Sequence, residues 1–239
     1  GELVDNKIEY KAINSCISFV PSLNGKQLII VEDLVSQNGK LHPVQDAMVK
    51  FHGSQCGFCT PGFVMALFSM FKNNKNLNNE LITDSISGNL CRCTGYRPII
   101  DAAKSLDKKN RNDQFSKNNN KVIQLLKKIK PKNIYIKKDD KIYFSPKNIK
   151  DLKNIIKKYS NFSFLAGGTD LSLKVTKERK EIPFIIDLKE INELDFIKVS
   201  KNYLEVGSAT PLIKFEKEIK KHYPDFYLVL KRYGSVQIR

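Results

Sequence analysis

Four of the five cysteines in this 239-residue chain fall in two tight pairs, Cys56-Gly57-Phe58-Cys59 and Cys91-Arg92-Cys93, which begin 35 residues apart. Thiolates at such spacings are metal-binding chemistry, and four of them suffice for a tetrahedral zinc ion or for a 2Fe-2S cluster. Four-cysteine zinc sites usually use two C-x2-C knuckles, so the C-x-C pair favours the cluster while leaving zinc open. The flanking residues lean the same way. Thr60-Pro61 reads as an N-cap followed by proline at the first helical position, directly after the first pair. Thr94-Gly95-Tyr96-Arg97-Pro98 starts another helix just after the second pair. Helix N-termini present free N–H groups and positive potential, which suits a thiolate-bound centre that becomes more negative on reduction. The odd cysteine count fits ligation in a reducing compartment, the cytoplasm, better than a disulfide framework.

A second candidate lies at Phe164-Leu165-Ala166-Gly167-Gly168-Thr169-Asp170-Leu171, a strand running into a glycine turn. Glycines let backbone N–H groups approach a pyrophosphate, and Thr169 adds a hydroxyl donor. Alone, this motif is a weak signal, more often an ordinary turn, and it is not the G-x-G-x-x-G dinucleotide fingerprint. His42, His52 and His222 are too scattered for a catalytic triad; His42 and His52 read as capping or packing residues. Asp187 and Glu205 have no partner that would make them a general acid–base pair. Arg92 reads equally well as a cluster-tuning cation or a surface residue. No catalytic base is found.

The elements that must position these groups fall into four segments. Residues 1–31 contain β-friendly runs at Lys7–Ala12 and Gln27–Val31, separated by Pro21 and the turn Asn24-Gly25. Residues 32–106 read as four short helices: one opened by Pro43 and stopped by Gly53, one running through Phe63–Phe71, one over Glu80–Ser87 ended by Gly88, and one opened by Arg97-Pro98. Residues 107–140 read as a Lys/Asn-rich linker with a helix over Val122–Ile129. From 141 onward, strand, helix and strand alternate (Lys141–Phe144, Asn148–Tyr159, Ser163–Ala166). Strands at Phe184–Asp187 and Tyr203–Val206 follow, with a closing helix over Leu212–Lys221. That order indicates an α/β or α+β domain.

The formal charge is +16, from 41 basic and 25 acidic residues, and Lys104–Lys158 alone supplies +13. Only 6 of the basic residues are Arg, the residue best suited to bidentate phosphate recognition. Lysine gathered with asparagine is the composition of a solvated segment, which argues against nucleic acid as a partner. No run approaches the roughly 18 apolar residues of a membrane span, so no membrane role is expected.

Gln55-Cys56-Gly57-Phe58-Cys59-Thr60-Pro61-Gly62, together with Gly88-Asn89-Leu90-Cys91-Arg92-Cys93-Thr94-Gly95-Tyr96-Arg97-Pro98, closely resembles the molybdenum hydroxylase family, which includes xanthine dehydrogenase, aldehyde oxidase and carbon monoxide dehydrogenase. The resemblance implies a multidomain α+β chain. Residues 1–31 would be the C-terminal remnant of a plant-type, β-grasp 2Fe-2S ferredoxin-like domain. Residues 32–106 would be the helical 2Fe-2S domain, 107–140 a linker, and 141–239 the N-terminal part of an FAD-binding domain. By the same resemblance Cys56, Cys59, Cys91 and Cys93 ligate the cluster, and Gln55 and Cys93 lie against the pterin of a molybdenum cofactor bound by a partner large subunit or domain. Cys16 matches the fourth ligand of a second, incomplete 2Fe-2S cluster, although a packed free cysteine reads as well.

Leu165, Ala166, Gly167, Gly168, Thr169, Asp170 and Leu171 match one wall of the FAD pyrophosphate site, with Ser172 where many relatives have glycine. Ile185-Ile186-Asp187-Leu188 and Val206-Gly207-Ser208-Ala209-Thr210 also resemble this domain. Tyr233 falls in a segment that places an aromatic residue near the flavin, or it is a packed aromatic. The implied function is the electron-transfer portion of a xanthine dehydrogenase-like hydroxylase, with NAD as acceptor and both ends cut inside domains. An aldehyde-oxidising member of the family is the nearer alternative, and a basic zinc module binding nucleic acid the remote one.

Overall fold

The computed structural model describes residues 1–129 and 132–239; residues 130 and 131, inside the expected linker, lie outside the described residues. The fold is mixed α and β and divides into two compact units. The first comprises Gly1–Ile13, Gly25–Ile129 and Ser235–Gln237; the second comprises Asn14–Asn24, the described part of 130–234, and Ile238–Arg239.

The first unit opens with a hairpin, β1 (Glu2–Val4) paired antiparallel with β2 (Lys7–Glu9). Asp5 and Asn6 both sit at positive φ (46° and 61°), the two-residue turn whose twist matches that of the flanking strands. The strand expected over Gln27–Val31 is absent. A 3-10 turn at Val31–Leu34 forms near its end, because the Asp33 carboxylate accepts from the Ile30 N–H at 2.8 Å and draws the backbone away from extension.

Four helices follow: α1 (Pro43–Lys50), α2 (Thr60–Asn73), α3 (Asn79–Ile86) and α4 (Arg97–Ser105). Their apolar positions recur at helical spacing. Phe63, Leu67 and Phe71 line α2, joined by Val44 on α1, Ile82 on α3 and Ile99 on α4, all fully buried. Asn78 caps α3 by accepting from the Leu81 N–H at 2.8 Å.

The Lys/Asn-rich segment is more ordered than its composition suggested. It forms α5 (Gln114–Lys117) and α6 (Asn119–Lys128) in the first unit and a strand, β3 (Ile134–Lys138), in the second. What secures α5 is Asp113, a side chain only 7% exposed. Its carboxylate caps the helix by accepting from the Ser116 N–H at 2.8 Å, lies 3.0 Å from His42 Nε2, and accepts from Lys72 Nζ at 2.8 and 2.9 Å. His42 Nδ1 in turn accepts from the Val44 N–H at 3.2 Å, which caps α1.

The second unit is built on a four-stranded sheet in the order β3-β4-β6-β5, with β4 at Lys141–Ser145, β5 at Ser163–Leu165 and β6 at Phe184–Asp187. The β3–β4 pair is antiparallel; β4 and β5 both run parallel to β6. Helix α7 (Ile149–Lys158) connects β4 to β5, and Asn148 caps it by accepting from the Asp151 N–H at 2.8 Å. Strand alternation splits the core between the two faces. Phe144 and Ile186 pack with Leu152 of α7, whereas Tyr143 and Ile185 pack with Leu165. The chain continues through α8 (Leu171–Thr176), the hairpin β7 (Ile197–Val199) and β8 (Leu204–Val206), α9 (Leu212–His222) and α10 (Pro224–Leu230). Among the described residues no helix is long and apolar enough to cross a membrane.

Burial by itself would raise the Asp113 carboxyl pKa, but hydrogen bonds from His42, Lys72 and the Ser116 N–H outweigh it and hold the group well below the usual carboxylate range. Replacing Asp113 with Ala leaves Lys72 buried without its counter-charge, and is expected to destabilise the first unit by about 3–5 kcal/mol in urea melts. The depressed folded-state pKa fixes the sign of the pH effect. The contribution is fully present above the unfolded value of ~3.9 and is lost as pH falls through the lower folded value. Wild type and Asp113→Asn should therefore converge in stability only in strong acid.

Candidate cluster and flavin sites

Helix α2 begins directly after the first cysteine pair, and α4 begins at Arg97, four residues after Cys93. Cys59, rather than Thr60, is the N-cap of α2; the Phe63 N–H donates to its carbonyl at 3.2 Å. The second loop is tied by side chains. The Cys91 N–H donates to Tyr96 Oη at 2.9 Å, and the Tyr96 ring meets Phe63 of α2 edge-on at 6.1 Å. Tyr96 takes φ 69° as the N-cap of α4. Thr94 lies between, with Oγ1 3.1 Å from Cys91 Sγ, its own N–H 3.5 Å from the same sulfur, and the Tyr96 N–H donating to Oγ1 at 3.2 Å.

All four paired cysteines are free thiols, and Cys56 meets Cys93 across the two motifs. Cys93 donates to Cys56, sulfur to sulfur, at 3.4 Å, and Cys59 and Cys91 influence each other's protonation. Two terminal sulfurs on one tetrahedral centre, with bonds of about 2.3 Å, stand roughly 3.8 Å apart, so the first spacing suits a shared metal. Among the described residues no group of three or more His, Cys, Asp or Glu side chains is placed to hold a metal ion. The approach of Cys56 and Cys93 is that of a pair, and pairs are what a two-iron centre needs, since each iron takes two terminal thiolates.

The protonation pattern follows the pairs. Hydrogen bonds from the Phe58 N–H and from Cys93 lower the Cys56 thiol, and the bond to Cys56 raises Cys93. The Thr94 hydroxyl and N–H pull Cys91 down to about 7, while burial and the bond to Cys91 push Cys59 up. In each case one thiol is lowered and the other raised, and a lowered thiol ionises more readily to the thiolate that ligates metal. Gln55 is exposed, as are the apolar side chains of Phe58 (95%) and Leu90 (83%) beside the cysteines. Cys16 lies in a 3-10 turn at Ser15–Ile17 in the second unit, exposed and outside the four-thiol group.

The glycine loop leaves the end of β5. Leu165 is buried and its carbonyl accepts from the Leu188 N–H at 2.9 Å; Ala166, Gly167 and Asp170 are exposed. Gly167 and Gly168 sit at φ 78° and 84°, backbone that L side chains rarely adopt. Among the described residues their N–H groups and that of Thr169 donate to no protein acceptor, which leaves them free for an anionic ligand. Ser172 Oγ is buried and also lacks a partner among the described residues. Leu171 begins α8, and Ser172 N–H donates back to the Gly168 carbonyl at 3.0 Å. Tyr233 is 66% exposed, and its N–H donates to the Leu230 carbonyl at 3.0 Å.

Comparison with known proteins matches both regions. Residues 30–104 match the 2Fe-2S binding domain, and residues 135–239 match the FAD binding domain in molybdopterin dehydrogenase. The chain carries two domains of the molybdenum hydroxylase family. It is similar to xanthine dehydrogenase 1 of Arabidopsis thaliana, 29% identical across 95% of this chain and 22% of that protein. Shorter matches reach 52% identity to xanthine dehydrogenase of Blastobotrys adeninivorans over 41% of this chain and 7% of that protein, and 46% identity to aldehyde oxidase 1 of Oryctolagus cuniculus over 44% and 8%. The chain therefore spans about a fifth of the length of the relative it matches almost throughout. Among solved structures, quinoline 2-oxidoreductase from Pseudomonas putida 86 shares 34% identity over 41% of this chain and 52% of that one, at a TM-score of 0.31 that carries no argument about fold.

Sequence reasoning found the cysteines and the glycine loop but passed over Thr94 and Tyr96 as participants. Their signal was present in the hydroxyl residues that follow the C-x-C pair. In the loop, Gly168→Ala would put a Cβ 2.7 Å from Leu165 Cδ1 at φ 84°, whereas Gly167→Ala meets open space at φ 78°. Thermal unfolding is expected to show a loss of roughly 1–3 kcal/mol for Gly168→Ala and a smaller loss for Gly167→Ala.

Proposed function

We propose that the chain is the electron-transfer portion of a xanthine dehydrogenase-like molybdenum hydroxylase, with Cys56, Cys59, Cys91 and Cys93 holding one 2Fe-2S cluster and the Gly167–Asp170 loop forming part of an FAD site. The observation that carries this reading is the 3.4 Å approach of Cys93 to Cys56 across the C-x2-C and C-x-C motifs, within the region that matches a 2Fe-2S binding domain. When bound, the cluster supplies one-electron transfer and FAD joins it to a two-electron acceptor such as NAD.

The chain's own residues have defined parts in this reading. Cys56 and Cys93 would hold one iron and Cys59 and Cys91 the other. Backbone donors from Phe58 and Thr94 would stabilise the thiolates. Gln55, Phe58 and Leu90, exposed beside the cysteines, would face the molybdenum-cofactor-binding partner. Leu165–Leu171 would take the FAD pyrophosphate on free N–H groups, with Tyr233 against the flavin. Cys16 would ligate nothing in this chain by itself, because one thiolate cannot hold a 2Fe-2S centre. The near end-to-end similarity to a xanthine dehydrogenase favours that member of the family. Its 46% identity to an aldehyde oxidase over 44% of the chain supports the second reading, an aldehyde-oxidising member.

Iron and acid-labile sulfide analysis after reconstitution tests the cluster. About two irons per chain and a single paramagnetic species on reduction are expected. Cys91→Ser should abolish that signal and Cys16→Ser should leave it intact. A colourless protein that takes up zinc in preference to iron would overturn the proposal.

A further inference from the structure

Resting on the assignment of Cys56, Cys59, Cys91 and Cys93 as cluster ligands, we infer that Thr94 is a positioning residue whose hydroxyl donates to the Cys91 sulfur and raises the reduction potential of the centre. Thr94 Oγ1 lies 3.1 Å from Cys91 Sγ. A hydroxyl carries one proton and two acceptor lone pairs, and Oγ1 already accepts from the Tyr96 N–H at 3.2 Å. Its proton is therefore available to the sulfur, and a metal-bound thiolate has no proton to give in return. The direction of the bond is fixed by chemistry.

Two further features make the hydroxyl the principal donor to this sulfur. The Cys91 N–H is taken by Tyr96 Oη at 2.9 Å, so it does not turn toward the sulfur, and the Thr94 N–H is longer, at 3.5 Å. Both Cys91 and Thr94 are half-buried, which limits exchange of the bond for one to water. Among the described residues no side-chain hydroxyl donates to Cys56, Cys59 or Cys93, so the contact is particular to one of the four sulfurs. Reduction adds negative charge to the thiolate-bound centre, so a donor to its sulfur favours the reduced state.

The test is a redox titration of the reconstituted 239-residue chain, followed by the paramagnetic resonance of the reduced cluster, in wild type, Thr94→Val, Thr94→Ala and Thr94→Ser. Valine matches the shape of threonine without the hydroxyl, and serine keeps the hydroxyl. The expected result is a lower midpoint potential in Thr94→Val and Thr94→Ala, with Thr94→Ser at the wild-type value and iron content equal in all four. Terminal iron–sulfur stretching bands in resonance Raman should shift in the Val and Ala proteins only. A Thr94→Val midpoint equal to wild type overturns the role of Thr94 and leaves the ligand assignment standing. If neither hydroxyl-free protein holds iron while Thr94→Ser does, the hydroxyl serves assembly and the tuning role is overturned. A wild-type chain that takes up no iron overturns the ligand assignment and this role together.

Discussion

Tyr96 holds a left-handed backbone conformation, φ 69°, that costs a bulky residue roughly 1–3 kcal/mol, and the geometry of the cysteine site depends on what that conformation secures. Its ring lies edge-on to Phe63 in the first turn of α2, its hydroxyl accepts the Cys91 N–H, and its own N–H donates to Thr94. One residue thereby joins the start of the helix that follows the first cysteine pair to the loop that carries the second. Phe63 and Ile99 are fully buried in the same core, so the join is backed by the packing of the whole helical unit. Edge-to-face aromatic pairs contribute about 0.5–1.5 kcal/mol beyond their buried area, comparable to the backbone strain they offset.

That join explains why thiols 37 residues apart can lie 3.4 Å from each other. It also explains the division of labour among them. Cys59 and Cys91 are half-buried and pack against the core, whereas Cys56 and Cys93 are exposed. One pair is anchored in the fold and the other faces outward, next to Phe58 and Leu90. This polarity suits the electron-transfer role proposed for the cluster, with one side fixed by the core and the other near the surface. The flavin segment is organised on a different principle. There, free N–H groups at positive-φ glycines end a strand whose neighbour, β6, is buried along its whole length.

Much of the helical unit was legible in the amino-acid sequence because proline and glycine punctuate it. Pro43, Pro61 and Pro98 open helices close to where they were expected, and the spacing of Phe63, Leu67 and Phe71 marks the buried face of α2. The strand at Phe184–Asp187 was equally clear from its four apolar and acidic residues. The Lys/Asn-rich segment was not. Its composition reads as solvated linker, yet Asp113 accepts charge-assisted bonds from Lys72 and His42, residues 41 and 71 positions away, and Phe115 enters the core. Such long-range pairing leaves no local periodicity to read. The hairpin β1–β2 was missed in part because Asp5-Asn6 is an unusual choice for two successive positive-φ positions. In the site itself the ligand-type residues were legible from spacing, while the roles of Thr94 and Tyr96 depended on a backbone conformation that residue types alone do not specify.

On the proposed reading the four paired thiols hold one two-iron centre rather than a single ion. Mössbauer spectroscopy of the chain reconstituted with 57Fe and sulfide tests it most directly. The oxidised protein is expected to hold all its bound iron as one coupled pair with a diamagnetic ground state. The magnetically split spectrum of isolated, uncoupled ferric sites would contradict it.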